Sequence, residues 1–374
     1  MAIAASSVRP AAPAPVATAA AAAAPSPLHR LLDETLPLPA EFGGGMANHL
    51  PMALQALDAL GADEARMRAF TSHYRRHFGA DDLAAAKRDV EAATAQAGES
   101  SAMLASDWTA ALGRVDLQEA LRAHFTAALA REGRDALLRR VLPHLLPGVA
   151  AQAFHGPIRV AHAVESGHAG ELALALAYWA ARATPLPAPE PVPASTFDRI
   201  EPWLQALDDA WRRDDVPPLE RLPFIQARLV QAAGTRAYRA LAAGLDAAPG
   251  DPLPLLQQLA LAGARRYART RNLTMLHVVT ATRAVMVLSR WLPPGTPGTL
   301  APLWHAAAAG SLAATLQAPA QRERVAPLRW VDILARARAS LDDHVVKLVH
   351  ALWTIESTRE DPDGAWAGTV AVQG

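Results

Sequence analysis

Ionisable side chains recur at helical spacing in the stretch Ala153–Tyr178. His155, Arg159, His162 and Glu165 follow one another at intervals of three or four residues, so a helix places all four on one face. The residues around them are mostly apolar, and a buried ionisable group is unfavourable unless it is paired or used in chemistry. The pattern indicates a pocket lined by acid–base groups, and a partly exposed polar seam is the alternative.

Histidines elsewhere in the chain extend this set of groups. His49 stands at the start of one helical segment, His277 lies inside another, and His344 is three residues before Lys347 on one helical face. Imidazole can exchange protons near neutral pH and can also bind transition metals. The histidines therefore predict either acid–base chemistry or a metal site.

Two other patterns resemble metal sites more weakly. His73 and His77 are four residues apart, but the two arginines between them favour a solvated helix face. Glu165-Ser-Gly-His168 matches one Glu-x-x-His half-motif of di-iron bundles, which need two such motifs and two further glutamates. The sequence contains no second half-motif, so a di-iron site is not predicted.

The elements that must position these residues are helices. Apolar residues recur at helical spacing from His29 onward, without alternating strands or βαβ signals. We expect an all-α fold, with one large domain of roughly a dozen helices over residues 28–374. The Ala/Pro-rich residues 1–27 are expected to form a disordered leader, and the Pro-rich residues 184–195 to form an extended connector.

Glycines and capping residues predict several helix boundaries. Asn48 is the expected N-cap of a helix that follows the flexible loop Glu41–Gly45. Gly133 is expected to break the helical stretch Leu117–Leu146. The pattern predicts Trp330–Ile355 as the last helix.

Charge and composition exclude several classes of protein. Lys and Arg number 36 and Asp and Glu number 36, which argues against a nucleic-acid or membrane-surface partner. The chain has no cysteine, so disulfides, thiolate nucleophiles and iron–sulfur clusters are excluded. Nucleotide-binding glycine motifs, including the flavin-type fingerprint, are absent. We expect a cytoplasmic protein whose oligomeric state the sequence leaves open.

Four short segments occur in an order and at distances that resemble one family. They are Asn48-His49-Leu-Pro-Met52, Phe154-His155-Gly-Pro-Ile-Arg159 through Glu165, Leu276-His277-Val-Val-Thr280, and Asp343-His344-Val-Val-Lys347. Together they are similar to the questin oxidase-like family. The resemblance implies a flavin-independent, Baeyer–Villiger-type monooxygenase of secondary metabolism, which uses NADPH and O₂ on a hydroxyquinone or anthraquinone-like aromatic.

The resemblance also implies a set of site residues. Arg159 stands where fungal members carry a second histidine, His162 where they carry a tyrosine, and Met52 near another of their histidines. The implied catalytic residues are His49, His155, Arg159, His162, His277, His344 and Lys347. The implied substrate-binding residues are Asn48, Met52, Glu165 and Thr280. No residue is assigned to a metal.

Two mechanisms remain open if the histidines share one cavity. In the first, histidines act as acid and base on a phenolic substrate whose anion reacts with O₂, while Lys347 or Arg159 stabilises the developing negative charge. In the second, three histidines bind a metal, with Glu165 as the carboxylate ligand. A non-catalytic helical protein that binds a small molecule is the competing class, and it leaves the histidines free to face different surfaces.

Overall fold

The computed structural model describes residues 25–95, 97–191, 197–213, 222–245, 251–293, 298–315, 324–356 and 362–373. Helix accounts for 76% of the structure, which confirms the predicted all-α fold. A two-residue hairpin of β1 (Glu41–Phe42) and β2 (Met46–Ala47) lies between the first two helices. The α-helices in chain order are α1 (Pro27–Thr35), α2 (Leu50–Ala59), α3 (Glu64–Tyr74), α4 (Ala80–Ala95), α5 (Ala97–Asp107), α6 (Gln118–Glu132), α7 (Arg134–Leu145), α8 (His155–Ser166), α9 (Ala169–Arg182), α10 (Ile200–Arg213), α11 (Ile225–Ala233), α12 (Arg236–Leu241), α13 (Leu253–Thr270), α14 (Leu273–Leu288), α15 (Ala301–Thr315), α16 (Trp330–Ala339), α17 (Asp343–Glu356) and α18 (Pro362–Gln373).

Four helices form a closed ring at the centre of the fold. Helix α2 contacts α8, α8 contacts α14, α14 contacts α17, and α17 contacts α2. Helices α8 and α14 are buried on nearly all sides, as expected of helices whose apolar residues are not confined to one stripe. Buried apolar side chains from α1 to α18 form one contiguous core around this ring. The ring therefore holds its polar side chains away from bulk water.

Side-chain caps fix the starts of two ring helices. Asn272 Oδ1 accepts a hydrogen bond from the backbone N–H of Thr274 at 2.8 Å, at the start of α14. Asp342 Oδ1 accepts one from the backbone N–H of His344 at 2.8 Å, at the start of α17. Such caps satisfy backbone donors that the first helical turn leaves unpaired. They set which residues of each helix point into the ring.

The structure corrects the predicted start of the folded chain. Ser26 caps α1, which begins at Pro27, so the last residue of the predicted leader belongs to the first helix. Residues 1–24 lie outside the described part of the chain. Of the expected loop Glu41–Gly45, Glu41 and Phe42 instead form strand β1, and the three glycines form the turn of the hairpin with positive φ. The N-cap of α2 is His49 rather than Asn48.

The C-terminal helices also differ from the prediction. The expected helix Trp330–Ile355 is two helices, α16 and α17, separated by residues 340–342, because Asp342 caps a new helix. Helix α18 follows and was not predicted. The predicted break at Gly133 is confirmed, and Gly133 has φ 78°. These turns raise the number of α-helices among the described residues to 18, above the roughly dozen expected.

The predicted connector at 184–195 is described up to residue 191, and residues 184–191 have no regular secondary structure. None of the helices within the described ranges combines the length and the apolar character needed to cross a membrane.

Candidate active site

A cavity of about 370 Å³ lies where the four ring helices begin. His49 is the N-cap of α2, His155 is the first residue of α8, and Asp343 is the first residue of α17. His277 is in the second turn of α14, and His344 follows Asp343. All five residues line the cavity. Helix N-termini carry partial positive charge, so this end of the ring favours anionic groups.

Apolar side chains form the rest of the cavity wall. They come from the hairpin, from the segment before and within the first turn of α11, and from the start of α14. The lining members are Phe42, Met46, Phe224, Ile225 and Leu273. Met46 and Phe224 are also exposed, which places them at the mouth. Such a pocket, apolar with a few convergent polar groups, suits a small aromatic molecule.

Three imidazole rings meet at the polar end of this cavity. His49 Nε2 lies 2.6 Å from His155 Nε2, and His277 Nε2 lies 3.2 Å from the same atom. The opposite ring nitrogens are all held by acceptors. His277 Nδ1–H donates to Leu273 O at 2.7 Å, His155 Nδ1–H donates to Gln152 O, and His49 Nδ1–H donates to Asp343 Oδ2 at 2.5 Å.

Burial keeps these three rings neutral. Burial, with Lys347 nearby, lowers the pKa of His49 to about 4. Burial and the neighbouring histidines hold the pKa values of His155 and His277 well below the ordinary range. A neutral imidazole with a proton on Nδ1 has a lone pair on Nε2. Three Nε2 lone pairs are thus directed at one another, which is unfavourable unless a proton or a cation lies among them.

Asp343 connects the histidines to a buried lysine. Its Oδ2 lies 3.3 Å from Lys347 Nζ and 3.4 Å from His344 Nδ1. Burial opposes the charge of Asp343, but His344, His49 and Lys347 outweigh it and hold the pKa of this carboxyl well below its usual value. Burial lowers the pKa of Lys347, while Asp343 acts in the opposite direction. Lys347 thus pairs with Asp343 and also lowers the pKa values of the nearby histidines through its charge.

The donor set fits a first-row transition metal. Imidazole nitrogen suits zinc, copper, iron and nickel. Histidines that bind metals almost always donate their other N–H to a carboxylate or a backbone carbonyl, as His49, His155 and His277 do here. His344 adds a fourth imidazole, because ring nitrogens of His49, His277 and His344 lie within 4.8 Å of one another.

Several residues implied by the sequence lie away from the cavity lining. The Lys347 side chain is 2% exposed and lies behind Asp343, with Nζ 3.3 Å from Asp343 Oδ2. Arg159 Nε donates to Glu171 Oε1 at 2.6 Å in a buried ion pair. Glu165 pairs with Arg283, so its carboxylate is committed there and does not join the histidines.

The remaining implied residues are also held by other parts of the fold. Asn48 donates to Pro39 O at 2.9 Å, and Met52 is buried in the apolar core. The Thr280 hydroxyl donates to Leu276 O at 3.1 Å, within its own helix. These contacts are structural, and they leave His49, His155, His277 and His344 as the implied residues that line the cavity.

A second polar set lies two turns further along the same four helices. We call His49, His155, His277 and Asp343 the upper layer. The lower layer consists of Gln55 on α2, His162 on α8, Arg283 on α14 and His350 on α17. In it, His162 Nδ1–H donates to Gln55 Oε1 at 2.5 Å, and the His162 and His350 rings lie 5.4 Å apart. Burial holds the pKa values of both histidines well below the ordinary range.

Sequence reasoning missed several residues of the site. Asp343 was visible beside His344 but was not assigned a role, although its position at a helix start could have suggested one. His350 repeats the Asp343 position seven residues later, which is a usable helical signal. Gln152 and Gln226 line the cavity without any sequence pattern that marks them.

The fold and the site together define an all-α protein with a buried histidine centre beside an apolar cavity. Residues 46–239 match the family model described as questin oxidase-like. The match spans more than half of the 374 residues, and the chain belongs to this family. Family membership indicates an oxidoreductase that acts on an aromatic substrate. No curated protein sequence matches the chain.

The region that matches the family model contains only some of the histidines that line the cavity. His49 and His155 lie within residues 46–239, whereas His277 and His344 lie beyond that range. The cavity contains all four. The C-terminal helices α14 and α17 thus complete the centre that the matched region begins.

Proposed function

We propose that this protein is a metal-dependent oxygenase that acts on a hydroxyquinone-like aromatic. His49, His155 and His277 would hold the metal through their Nε2 atoms, with His344 beside them. The observation that carries this proposal is the convergence of three Nε2 atoms whose rings are each fixed through Nδ1. A redox-active metal such as iron, when bound, supplies the one-electron chemistry through which O₂ reacts.

The overall reaction follows from the family resemblance. One atom of O₂ enters a carbon–carbon bond beside a ring carbonyl, as in a Baeyer–Villiger oxidation, and the other leaves as water. NADPH supplies a hydride, which carries two electrons and one proton. One further proton from solution completes the water. No flavin is required in this scheme, in keeping with the missing flavin fingerprint in the sequence.

The protein's own residues would bind the substrate and move its proton. Phe42, Phe224 and Leu273 offer apolar surface to an aromatic ring. His344 has its Nδ1 beside the carboxylates of Asp342 and Asp343, so its Nε2 is the atom that would accept a proton from a phenolic hydroxyl. The helix N-termini at the cavity would then stabilise the resulting phenolate.

A metal-free mechanism is the second candidate, and the Asp343–His49 pair favours it. A carboxylate that holds Nδ1–H makes the opposite nitrogen of an imidazole a better base. In this mechanism His49 would take the substrate proton, and O₂ would react with the electron-rich anion directly. The weakness is that His49 Nε2 is directed at His155 Nε2, 2.6 Å away, rather than at open cavity.

Elemental analysis of freshly purified protein tests the metal. The wild type is expected to contain a stoichiometric transition metal, and His277→Ala and His155→Ala are expected to lose it. His305→Gln is the matched control, because this histidine is on α15 and does not line the cavity. A wild type without metal that still consumes O₂ with a hydroxyanthraquinone and NADPH would overturn the metal site and favour the second mechanism.

Isotope labelling tests the reaction itself. With ¹⁸O₂, the wild type is expected to place one labelled atom in the product and the other in water. Two labelled atoms in the product would indicate a dioxygenase and contradict the monooxygenase assignment. Absence of turnover across hydroxyquinones, with metal bound, would contradict the substrate class.

A further inference from the structure

The segment before α8 has an uncommon backbone conformation. Gln152, Ala153 and Phe154 have φ values of 47°, 55° and 69°. None is glycine, and the left-handed region is unfavourable for residues with a side chain. Such strain persists where the surrounding structure enforces it, and it is concentrated at functional sites. This left-handed turn, residues 152–154, directly precedes His155.

The turn sets the orientation of His155. Gln152 O accepts a hydrogen bond from the His155 backbone N–H at 3.1 Å and another from His155 Nδ1–H. The second bond keeps the proton on Nδ1 and directs Nε2 at His49 and His277. If the turn relaxed to an ordinary conformation, the Gln152 carbonyl would rotate away from the ring.

Two side chains from distant parts of the chain hold the turn. Gln226 Oε1, on α11, accepts a hydrogen bond from Ala153 N–H at 3.0 Å. Gln152 Nε2 donates to Glu41 Oε1 at 2.8 Å. Glu41 is itself fixed, since Arg182 donates to both of its carboxylate oxygens at 2.9 Å. The hairpin and α11 therefore each form a hydrogen bond to the turn, from two sides.

The start of α8 gives the turn little freedom on its other side. A Cβ atom at Gly156 would lie 2.5 Å from the Trp179 ring, so the first turn of α8 is pressed against α9. Trp179 is fully buried and donates through Nε1 to Gly148 O at 3.1 Å. The strain at residues 152–154 therefore cannot be relieved by a shift of α8, and the holding side chains must resist it.

We infer that Gln226 is a positioning residue that holds the strained turn, residues 152–154, so that His155 Nε2 faces the metal. This inference rests on the proposed metal site. Gln226 is in the first turn of α11, next to Ile225, which lines the cavity. The first turn of α11 thus contributes both a residue that lines the cavity and the residue that bonds the turn before His155.

A double substitution separates this role from a general structural one. Gln226→Leu removes the acceptor of Ala153 N–H and is expected to weaken metal binding by up to the roughly 10- to 100-fold that loss of a direct outer partner of a metal-binding histidine causes. Ala153→Gly relieves the strain at the middle one of the three positive-φ residues, because glycine adopts positive φ readily. Adding Ala153→Gly to Gln226→Leu is therefore expected to restore part of the lost affinity.

The matched control is Gln231→Leu, an equivalent change on the same helix at a residue that does not line the cavity. Metal affinity is measured by competition with a chelator, beside the midpoint of thermal unfolding. The inference is overturned if Gln226→Leu binds metal as tightly as the Gln231→Leu control. It is also overturned if Ala153→Gly restores thermal stability but no metal affinity.

A second measurement keeps the test independent of the metal. Nitrogen-15 spectra of histidine-labelled, metal-free protein report the tautomer of His155, assigned with the His155→Ala variant. The wild type is expected to show one Nδ1–H tautomer, Gln226→Leu a mixture, and the double variant the single tautomer again. If the wild type binds no metal, the proposed metal site fails, and these spectra still decide the role of Gln226. Identical spectra for wild type and Gln226→Leu would overturn it.

Discussion

The upper and lower layers use similar residues on the same four helices, yet only the upper one lines the cavity. The layers are six or seven residues apart on each helix, or about 10 Å. In the lower layer a donor meets an acceptor, as His162 Nδ1–H meets Gln55 Oε1 at 2.5 Å. In the upper layer three Nε2 atoms meet one another. The two layers therefore differ in how their imidazole nitrogens are paired.

Access to solvent reinforces the difference. The upper layer lines the cavity, whereas His162 and His350 are buried among neighbouring helices. The lower layer is not fully satisfied either, because His350 Nδ1 has no hydrogen-bond partner among the described residues. Its charged member, however, is paired, since Arg283 Nη1 donates to Glu165 at 2.5 Å. The comparison predicts that upper-layer changes alter chemistry and lower-layer changes alter stability.

The largest expected effect is the loss of chemistry on changing one upper-layer histidine. His155→Ala is expected to lower metal affinity more than 100-fold, beyond the roughly 10- to 100-fold loss for outer partners, and to abolish turnover. Its thermal stability without metal should stay near that of wild type, because facing lone pairs are removed. Chelator competition and calorimetry measure the two effects.

His162→Ala is the matched variant two turns along the same helix. It is expected to keep the metal and to lose about 2–4 kcal/mol of unfolding free energy, through a cavity and the unpaired Gln55. Metal loss in His162→Ala with unchanged stability would reverse the assignment of the two layers.

The buried pair Arg159–Glu171 supplies the next largest effect, and it tests a residue implied to be catalytic. Both side chains are under 5% exposed, so Arg159→Met leaves an uncompensated carboxylate and is expected to cost roughly 3–5 kcal/mol. The double variant Arg159→Met, Glu171→Leu should recover most of that loss. Urea unfolding measures both. A variant at Arg159 that folds normally and loses turnover would instead restore the catalytic role.

A smaller effect on metal affinity is expected from changing Asp343, the carboxylate of the upper layer. Asp343→Asn keeps the shape of the residue but removes the charge that holds His49 Nδ1–H. The amide can present nitrogen instead of oxygen to the ring, so metal affinity is expected to fall about 10- to 100-fold. The control is Asp342→Asn, which keeps the oxygen that caps α17. Equal metal affinity in the two variants would argue against an outer-partner role for Asp343.

The sequence predicts much of the helical fold and less of the candidate site. The helical repeat and Gly133 correctly indicate an all-α fold with a break at that residue, since these depend on local preferences. His155, Arg159, His162 and Glu165 do share a buried helix, but their partners come from other helices, some of them more than 100 residues away along the chain. Spacing on one helix cannot show that Arg159 meets Glu171 while His155 meets His49.

Other site features have no local signal at all. The left-handed turn at residues 152–154 contains no glycine, so its composition does not predict positive φ values. The support from Gln226 depends on where α11 packs, which is a tertiary property. Conversely, the division of Trp330–Ile355 could have been predicted, because Ser340-Leu-Asp342 carries the capping residues that start a helix.

The smallest expected effect is a change in how stability depends on pH, and it tests the lower layer alone. Burial, followed by the charge of Arg283, lowers the pKa of His350 well below its ordinary value. Lys347 is one turn away on the same helix, and the His162 ring is 5.4 Å away. His350 therefore stays neutral in the folded chain and takes up a proton on unfolding below about pH 6.5.

The direction in which stability changes with pH follows from the proton that His350 takes up on unfolding. Because the unfolded chain binds more protons, the stability of the wild type falls as the pH drops below about 6.5, by about 1.4 kcal/mol per pH unit for each such histidine. His350→Leu removes one of these protons and leaves no buried imidazole nitrogen without a partner at that position. Relative to the wild type it should gain about 2 kcal/mol between pH 6.5 and 5. Urea unfolding at pH 7.5 and pH 5 measures the difference, and His144→Leu, at an exposed histidine of α7, is the control. Parallel pH profiles for His350→Leu and wild type would mean that His350 takes up its proton equally in the folded and unfolded chains, and the lower layer would then not hold this histidine neutral.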